Sequence, residues 1–264
     1  MDNPKYYAPS VDIAARILKF LSRYRHKKST LSEISIALEL NKSTCLRVLK
    51  TLENHHLVQY DVESRKYSLG IYNVILGYRT QENLDYLAII TPFLREAAAR
   101  TELTVVFVQR ISEDRMMYVA KHESLAPVRV NVSVGNQFPI TQVSYGQWLL
   151  AYAEKPERDR FIKNGLPRLT TYTITNEVRY LERLEDIRKE GVLVSREEYV
   201  PGVVAISSPI FSHPNVILGV FALLGMASAL TEGQIESYRQ IVKDVSKRCN
   251  MLTMTGNVTI DNSF

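Results

Sequence analysis

The run Thr30 to Asn54, TLSEISIALELNKSTCLRVLKTLEN, holds two helix starts in close succession. Thr30 and Glu33 fit a capping box, in which hydroxyl and carboxylate each satisfy an orphan backbone amide, ahead of Leu31, Ile34, Ala37 and Leu38 on one face. A second helix begins near Asn41. Its Cys45, Val48, Leu49 and Leu52 recur at helical spacing, while Ser43, Arg47, Lys50 and Asn54 fall on the opposite side. A helix seated in a DNA major groove needs that division, with one stripe packed on its own domain and the other offering donors to bases and phosphates.

The flanks complete a small domain. Upstream, Val11, Ala14, Ala15, Leu18 and Leu21 behind Ser10 as N-cap predict a helix over residues 11–24. Downstream, Leu57–Tyr60 and Lys66–Leu69 read as two short strands around the polar turn Asp61–Arg65, with Arg65 and Lys66 at the tip. Three helices followed by a hairpin make a winged helix-turn-helix over residues 1–70. The charge agrees. Residues 1–80 hold thirteen Lys and Arg against seven Asp and Glu, and the remainder is close to neutral. A basic segment on a neutral body is the footprint of a polyanion binder, because each neutralised phosphate releases condensed counterions.

The chain has 264 residues, 45% of them hydrophobic and 23% charged, which suits two domains with proper cores and argues against a disordered or fibrous class. No apolar run reaches the roughly 20 residues of a membrane span, and the start carries no apolar leader. The expectation is a cytoplasmic protein that does not engage a membrane. Cys45 and Cys249 are too few for a disulfide framework or a cysteine zinc site, so buried reduced thiols are expected.

Apolar residues at helical spacing from Ile71 to Gly77, then the polar Thr80–Asn83, predict a linker helix over 71–83. Leu84–Arg100 returns to a helical pattern in which Pro92 either kinks a helix or opens one. The remaining pattern mixes strands and helices. Val105–Ile111 and Met116–Ala120 predict a hairpin, Val128–Val134 a third strand, and Ser144–Tyr152, Asp159–Asn164 and Glu177–Glu190 helices. Gly191–Ser195, Val203–Pro209 and Ile217–Leu224 read as strands, and Glu232–Leu252 as a closing amphipathic helix. Strands without regular strand-helix alternation indicate an α+β domain over 84–264.

Catalytic motifs are missing from the sequence: no Gly-x-Ser-x-Gly elbow, no phosphate loop and no His-Glu-x-x-His helix. The five histidines are scattered, and the adjacent His55 and His56 point to different sides of a helix. No catalytic residue, metal or other cofactor is assigned, and the protein is not expected to be an enzyme.

The motifs Leu31-Ser32-Glu33-Ile34, Lys42-Ser43-Thr44, Arg47-Val48-Leu49-Lys50-Thr51-Leu52 and Tyr67-Ser68-Leu69-Gly70 resemble the DNA-binding domain of IclR-type bacterial transcription regulators. Gly135–Pro139 running into Gly146–Ala151, Ile187–Gly191, Glu197-Glu198 and Pro201–Phe211 are similar to the effector domain of the same family, so the resemblance covers residues 10–252. It implies that the third helix enters the major groove through Ser43, Thr44, Arg47 and Lys50 and that Arg65 of the wing touches the backbone, with Ser32, Lys42 and Lys66 alongside. It also implies a GAF-like second domain whose metabolite pocket uses Ser144, Tyr145, Ser195, Val203, Ala205, Ala222 and Leu224.

Departures from the family pattern are informative. Family members that hold small carboxylates tend to carry an acid where Ser195 stands and hydroxyls where Ala222 and Leu224 stand; their loss here favours a larger or less polar ligand. Tyr145 stands where the family has a small residue, and either fills the pocket or bonds its ligand. The amides at that helix start suit one carboxylate. The expected partners are a double-stranded DNA operator of palindromic form, a small-molecule effector such as a carboxylate with an apolar body, and further copies of the chain as homodimer or tetramer. The alternatives are an architectural DNA-binding protein whose second domain only dimerises and, further off, an enzyme acting on a metabolite.

Overall fold

The computed structural model describes residues 7–82 and 85–255, the side chains of residues 24, 81 and 82 left aside, and the chain divides into two compact units at Leu84 and Asp85. In the first unit, helix α1 spans Pro9–Leu21, α2 Leu31–Ala37 and α3 Lys42–Asn54, followed by the antiparallel strands β1, Val58–Asp61, and β2, Lys66–Leu69. The start of α1 differs from the expected one. Ala8 is the N-cap and Pro9 opens the helix, because a proline lacks the amide that the first turn leaves unpaired and has a helical φ built in. Ser10 therefore sits inside the first turn.

The capping box on α2 forms as its residues dictate. Thr30 Oγ1 accepts from Glu33 N at 3.2 Å and Glu33 Oε2 accepts from Thr30 N at 2.7 Å. The C-terminal end is held by Arg16 of α1, which donates to Leu38 O at 2.5 Å, where a cation suits the helix dipole. Ile17, Leu21, Ile34, Cys45 and Leu49 are all buried in one core, closed by Val58 and Tyr67 of the hairpin. Helix α4, Tyr72–Glu82, ends the first unit.

The second unit opens with α5, Asp85–Thr101, in which Pro92 lies in the interior of the helix. Strands β3, Thr104–Arg110, and β4, Arg115–His122, form the expected hairpin. Val128–Val134 is not a strand. The next one, β5, is Gln137–Pro139, and it takes the pairing positions on the start of β4. The loop before it hangs instead on side chains: Thr104 Oγ1 donates to Val130 O at 2.8 Å and Lys121 Nζ to Val132 O at 2.8 Å.

Helices α6, Ser144–Tyr152, α7, Lys155–Lys163, and α8, Glu177–Glu190, follow, and the chain closes with β6, Leu193–Arg196, β7, Val203–His213, β8, Val216–Met226, and α9, Glu232–Thr253. Among the described residues the strands form one antiparallel sheet in the order β5-β4-β3-β8-β7-β6. Its central strands are buried on both faces, so β7 and β8 read as continuous apolar runs. Val106, Val220, Ala222 and Leu224 face a core shared with α6 and α8, whereas α5 and α9 pack together against the sheet through β3 and β7. Both units together make an α+β protein. Among the described residues no helix is long and apolar enough to cross a membrane.

One glycine fixes how α6 meets the sheet. A Cβ on Gly146 would stand 1.8 Å from Ile140 O, so only hydrogen fits where that helix crosses the turn before it. Both cysteines are buried thiols, and burial pushes Cys249 up to about 12, which keeps it protonated and inert.

Candidate DNA interface and effector cavity

Helix α3 is built as a two-sided element. Cys45, Leu49 and Leu52 are buried against α1 and α2, and Ser43, Arg47 and Lys50 are exposed on the other side. Asn41 is the N-cap, its Oδ1 accepting from Ser43 N at 3.0 Å and from Ser43 Oγ at 2.8 Å. Ser32 and Lys42 are exposed, Thr44 half-buried. Lys50 is partly committed within the domain: its Nζ lies 2.8 Å from Glu53 Oε2 and 5.3 Å from the ring centre of Tyr60 on the wing.

The wing tip is shaped by local bonds. Asp61 Oδ1 accepts from Glu63 N at 3.0 Å and Ser64 N at 3.1 Å, and Arg65 adopts φ 55° to turn the chain back. Arg65 is exposed and Lys66 half-buried. The exposed set thus puts cations on α3 and on the wing of one small unit.

In the second unit a cavity of about 200 Å³ opens at the start of α6. Ser144, Tyr145, Ser195, Val203, Ala205 and Leu224 all line it. Ala222 does not. It pairs across the sheet with Ser207, whose Oγ accepts from Trp148 Nε1 at 3.0 Å, so the buried indole covers that pair. Tyr118, Val130, Asn131, Val132, Val143, Tyr199 and Val200 complete the lining and were not read from the sequence. Tyr118 was within reach of the pattern, since it alternates with the buried Met116 on β4; the loop residues carried no such period.

Polar chemistry in the cavity is neutral. Among the described residues no Lys, Arg or His lines it. Burial holds the Tyr145 hydroxyl well above its ordinary range, with the adjacent Tyr118 hydroxyl adding to the effect, and burial raises Tyr118 as well. The two rings meet edge to face with centroids 6.1 Å apart. Tyr145 thus lines the cavity with its hydroxyl beside that of Tyr118. No side chain caps the first amides of α6, which begins at the cavity wall.

Behind the wall lies a buried polar cluster. Gln147, wholly buried, donates from Nε2 to the Tyr199 hydroxyl at 2.8 Å and to Glu198 Oε2 at 3.4 Å. Arg183 of α8 donates to Glu198 Oε1 at 3.2 Å and to Val194 O at 2.6 Å. Burial raises the Glu198 carboxyl above its ordinary range and outweighs the opposing pull of Arg183. Glu197 faces elsewhere, its Oε2 accepting from Gly202 N at 2.7 Å. Among the described residues no three His, Cys, Asp or Glu side chains gather as a metal ligand set.

Comparison with known proteins matches this layout in both units. A profile of the IclR helix-turn-helix domain matches residues 10–62, and one described as the bacterial transcriptional regulator IclR C-terminal region matches residues 79–250. The HTH-type transcriptional repressor AllR of Salmonella paratyphi A is 29% identical over 243 residues, 91% of this chain and 88% of that one, and AllR of Escherichia coli is 28% identical over the same span. An IclR transcriptional regulator from Alicyclobacillus acidocaldarius is 38% identical, with a TM-score of 0.87 over 94% of this chain and 100% of that one. An IclR homologue from Microbacterium hydrocarbonoxydans, solved in complex with 4-hydroxybenzoate, shares the fold at 17% identity and a TM-score of 0.81, over 94% of this chain and 100% of that one. With a helix-turn-helix and wing in the first unit, a neutral cavity in the second, and family profiles matching each, the chain belongs to the IclR family of bacterial transcriptional regulators.

Proposed function

We propose that this regulator binds a specific operator through residues 1–70 and changes its affinity for DNA when a small organic metabolite enters the cavity of residues 84–264, with residues 71–83 as the linker. Arg47 reads bases from α3, joined by Ser43 and Thr44 at its start, and Lys50 adds a weaker contact. Arg65 and Lys66 hold the flanking backbone from the wing, and Ser32 and Lys42 hold it beside the reading helix. The chain acts as a homodimer or tetramer on a palindromic site. The name of the matched relatives, repressor, supports repression over activation.

The observation that carries the effector reading is the cavity at the start of α6: about 200 Å³, lined by tyrosine hydroxyls and aliphatic carbon, with uncapped helix amides and no cation among its described lining. Such a lining suits one carboxylate held by amides and hydroxyls, on an aromatic or branched apolar body. A fold neighbour solved with 4-hydroxybenzoate, a ligand of that shape, supports the class. A ligand that favours one conformation shifts the DNA-binding equilibrium by its difference in affinity for the two states.

The test is fluorescence anisotropy of the full chain on DNA from its own upstream region against a scrambled duplex, at two salt concentrations, with and without aromatic monocarboxylates. Preference for the native fragment that survives high salt, and a shift of that binding by a ligand, is the expected result. Equal, salt-sensitive binding to both duplexes with no ligand effect on melting temperature favours an architectural protein instead.

A further inference from the structure

The second unit carries another concavity, at the edge of β7 beyond the reach of β6. Strand β6 pairs with Val204 to Ser207 only, so the stretch from Ser208 to Phe211 faces no strand on that side. An open strand edge ordinarily invites another strand. Here it is sealed: Pro209 has no amide, Asn250 of α9 accepts from Phe211 N at 2.8 Å through Oδ1 and donates to Pro209 O at 3.2 Å through Nδ2, and Ser208 Oγ donates to Gly191 O at 2.8 Å. With its backbone groups satisfied, the groove of about 620 Å³ presents carbon, from Tyr152, Phe211, Met251 and Met254. Tyr152 and Phe211 stack edge to face at 5.2 Å.

Charge at this groove is of one sign. Lys243 and Lys247, one turn apart on α9, line it, and among the described residues neither ammonium makes a hydrogen bond or ion pair and no acid joins the lining. The Arg188 guanidinium, outside the lining, lies 5.0 Å from the Tyr152 ring. Of the acids of α9, Asp244 pairs with Arg100 at 2.9 Å, and Glu236 pairs with Arg239 at 2.9 Å while its charge also reaches Lys243. This composition is unlike the neutral cavity at α6.

We propose that the groove is a second ligand site, and that its occupant is an organic anion with a single carboxylate head and a flexible apolar tail, of fatty-acid type. The lysines pair with the head, and the aromatic rings and adaptable methionines take the tail. Strand addition does not compete, because Asn250 and Pro209 leave no backbone pair to receive it.

Full-length protein with ¹³C-methyl methionine, titrated with decanoate below its micellar range, tests the site. The Met251 and Met254 methyl signals are expected to shift saturably, while Met116, buried on β4 two positions from the Tyr118 that lines the first cavity, stays unchanged. Decanol should bind about tenfold more weakly, decyltrimethylammonium should not bind, and Lys243→Glu with Lys247→Glu should weaken decanoate about tenfold without altering the melting temperature. Equal response to decanol and decanoate overturns the proposal in favour of nonspecific adsorption. A shift confined to Met116 overturns it by placing decanoate in the first cavity. A change of sedimentation coefficient in the ligand-free double variant overturns it by assigning the groove to contact between copies of the chain.

Discussion

Gln147 Nε2 lies 2.8 Å from the Tyr199 hydroxyl, joining a wholly buried side chain of α6 to a side chain that lines the cavity at the start of that helix. The bond is a strut between the helix that opens the cavity and the loop that walls it. Its neighbours, Glu198 and Arg183, extend the strut to α8.

Replacing Gln147 by Leu keeps the volume and removes the donor, leaving the Tyr199 hydroxyl and one Glu198 oxygen without that partner. A loss of about 1–3 kcal/mol is expected from the desolvation left uncompensated. Urea denaturation reads the stability, and ligand titration should show weaker binding, because the wall bearing Tyr199 is no longer held. An unchanged midpoint would show that the strut bears no stability.

Glu198 gives a pH dependence of defined sign. Its folded-state carboxyl titrates above the ordinary value of 4.5 because burial disfavours the charge. The folded state therefore holds its proton more tightly, and this group's contribution to stability is fully present below pH 4.5 and is lost as the pH rises through the raised value. Glu198→Gln removes the titration, so the variant should lack the decline that the native protein shows over that window. Denaturation midpoints at closely spaced pH values check it, and parallel curves would refute it.

Three cations of the first unit, Arg47, Arg65 and Lys50, should fail differently. Arg47→Ala is expected to cost about 1–3 kcal/mol on the operator and to relax sequence preference, as for a base contact. Arg65→Ala should weaken all duplexes alike and lower the salt slope by about 1, as for a phosphate contact. Lys50→Ala should cost less than either, since the ammonium already rests on Glu53 and Tyr60. Anisotropy over a salt series separates the three.

Gly146→Ala tests the seat of α6. The added methyl meets the Ile140 carbonyl, a backbone atom that cannot rotate away, so a loss of about 1–3 kcal/mol is expected from overpacking. Thermal melting reads it. The same substitution at Gly233, which has open space around it, should be near neutral and serves as the control.

Local signals were legible and tertiary ones were not. The capping box at Thr30 and Glu33 and the two faces of α3 follow from residues a few positions apart, and the structure has both. The start of α1 needed a choice between a hydroxyl cap at Ser10 and a proline at Pro9, and the proline prevailed. Val128 to Val134 has a strand's alternation, yet its pairing positions belong to the short β5, a competition that spacing cannot reveal. In the cavity, positions on regular elements such as Ser144, Ala205 and Leu224 could be placed by resemblance and period, whereas Val200 arrives on a loop with no period, and Asn131 on one whose course is set by distant hydroxyl and ammonium bonds to its neighbours Val130 and Val132.

That loop has an evolutionary reading. Val130 and Val132 are suspended from Thr104 and Lys121 and make no strand ladder, so changing their side chains reshapes the cavity while every pairing bond of the sheet survives. The shape of the cavity wall and the integrity of the scaffold are thereby separate traits in this domain, and substitutions at 130 to 132 can recast the one without renegotiating the other.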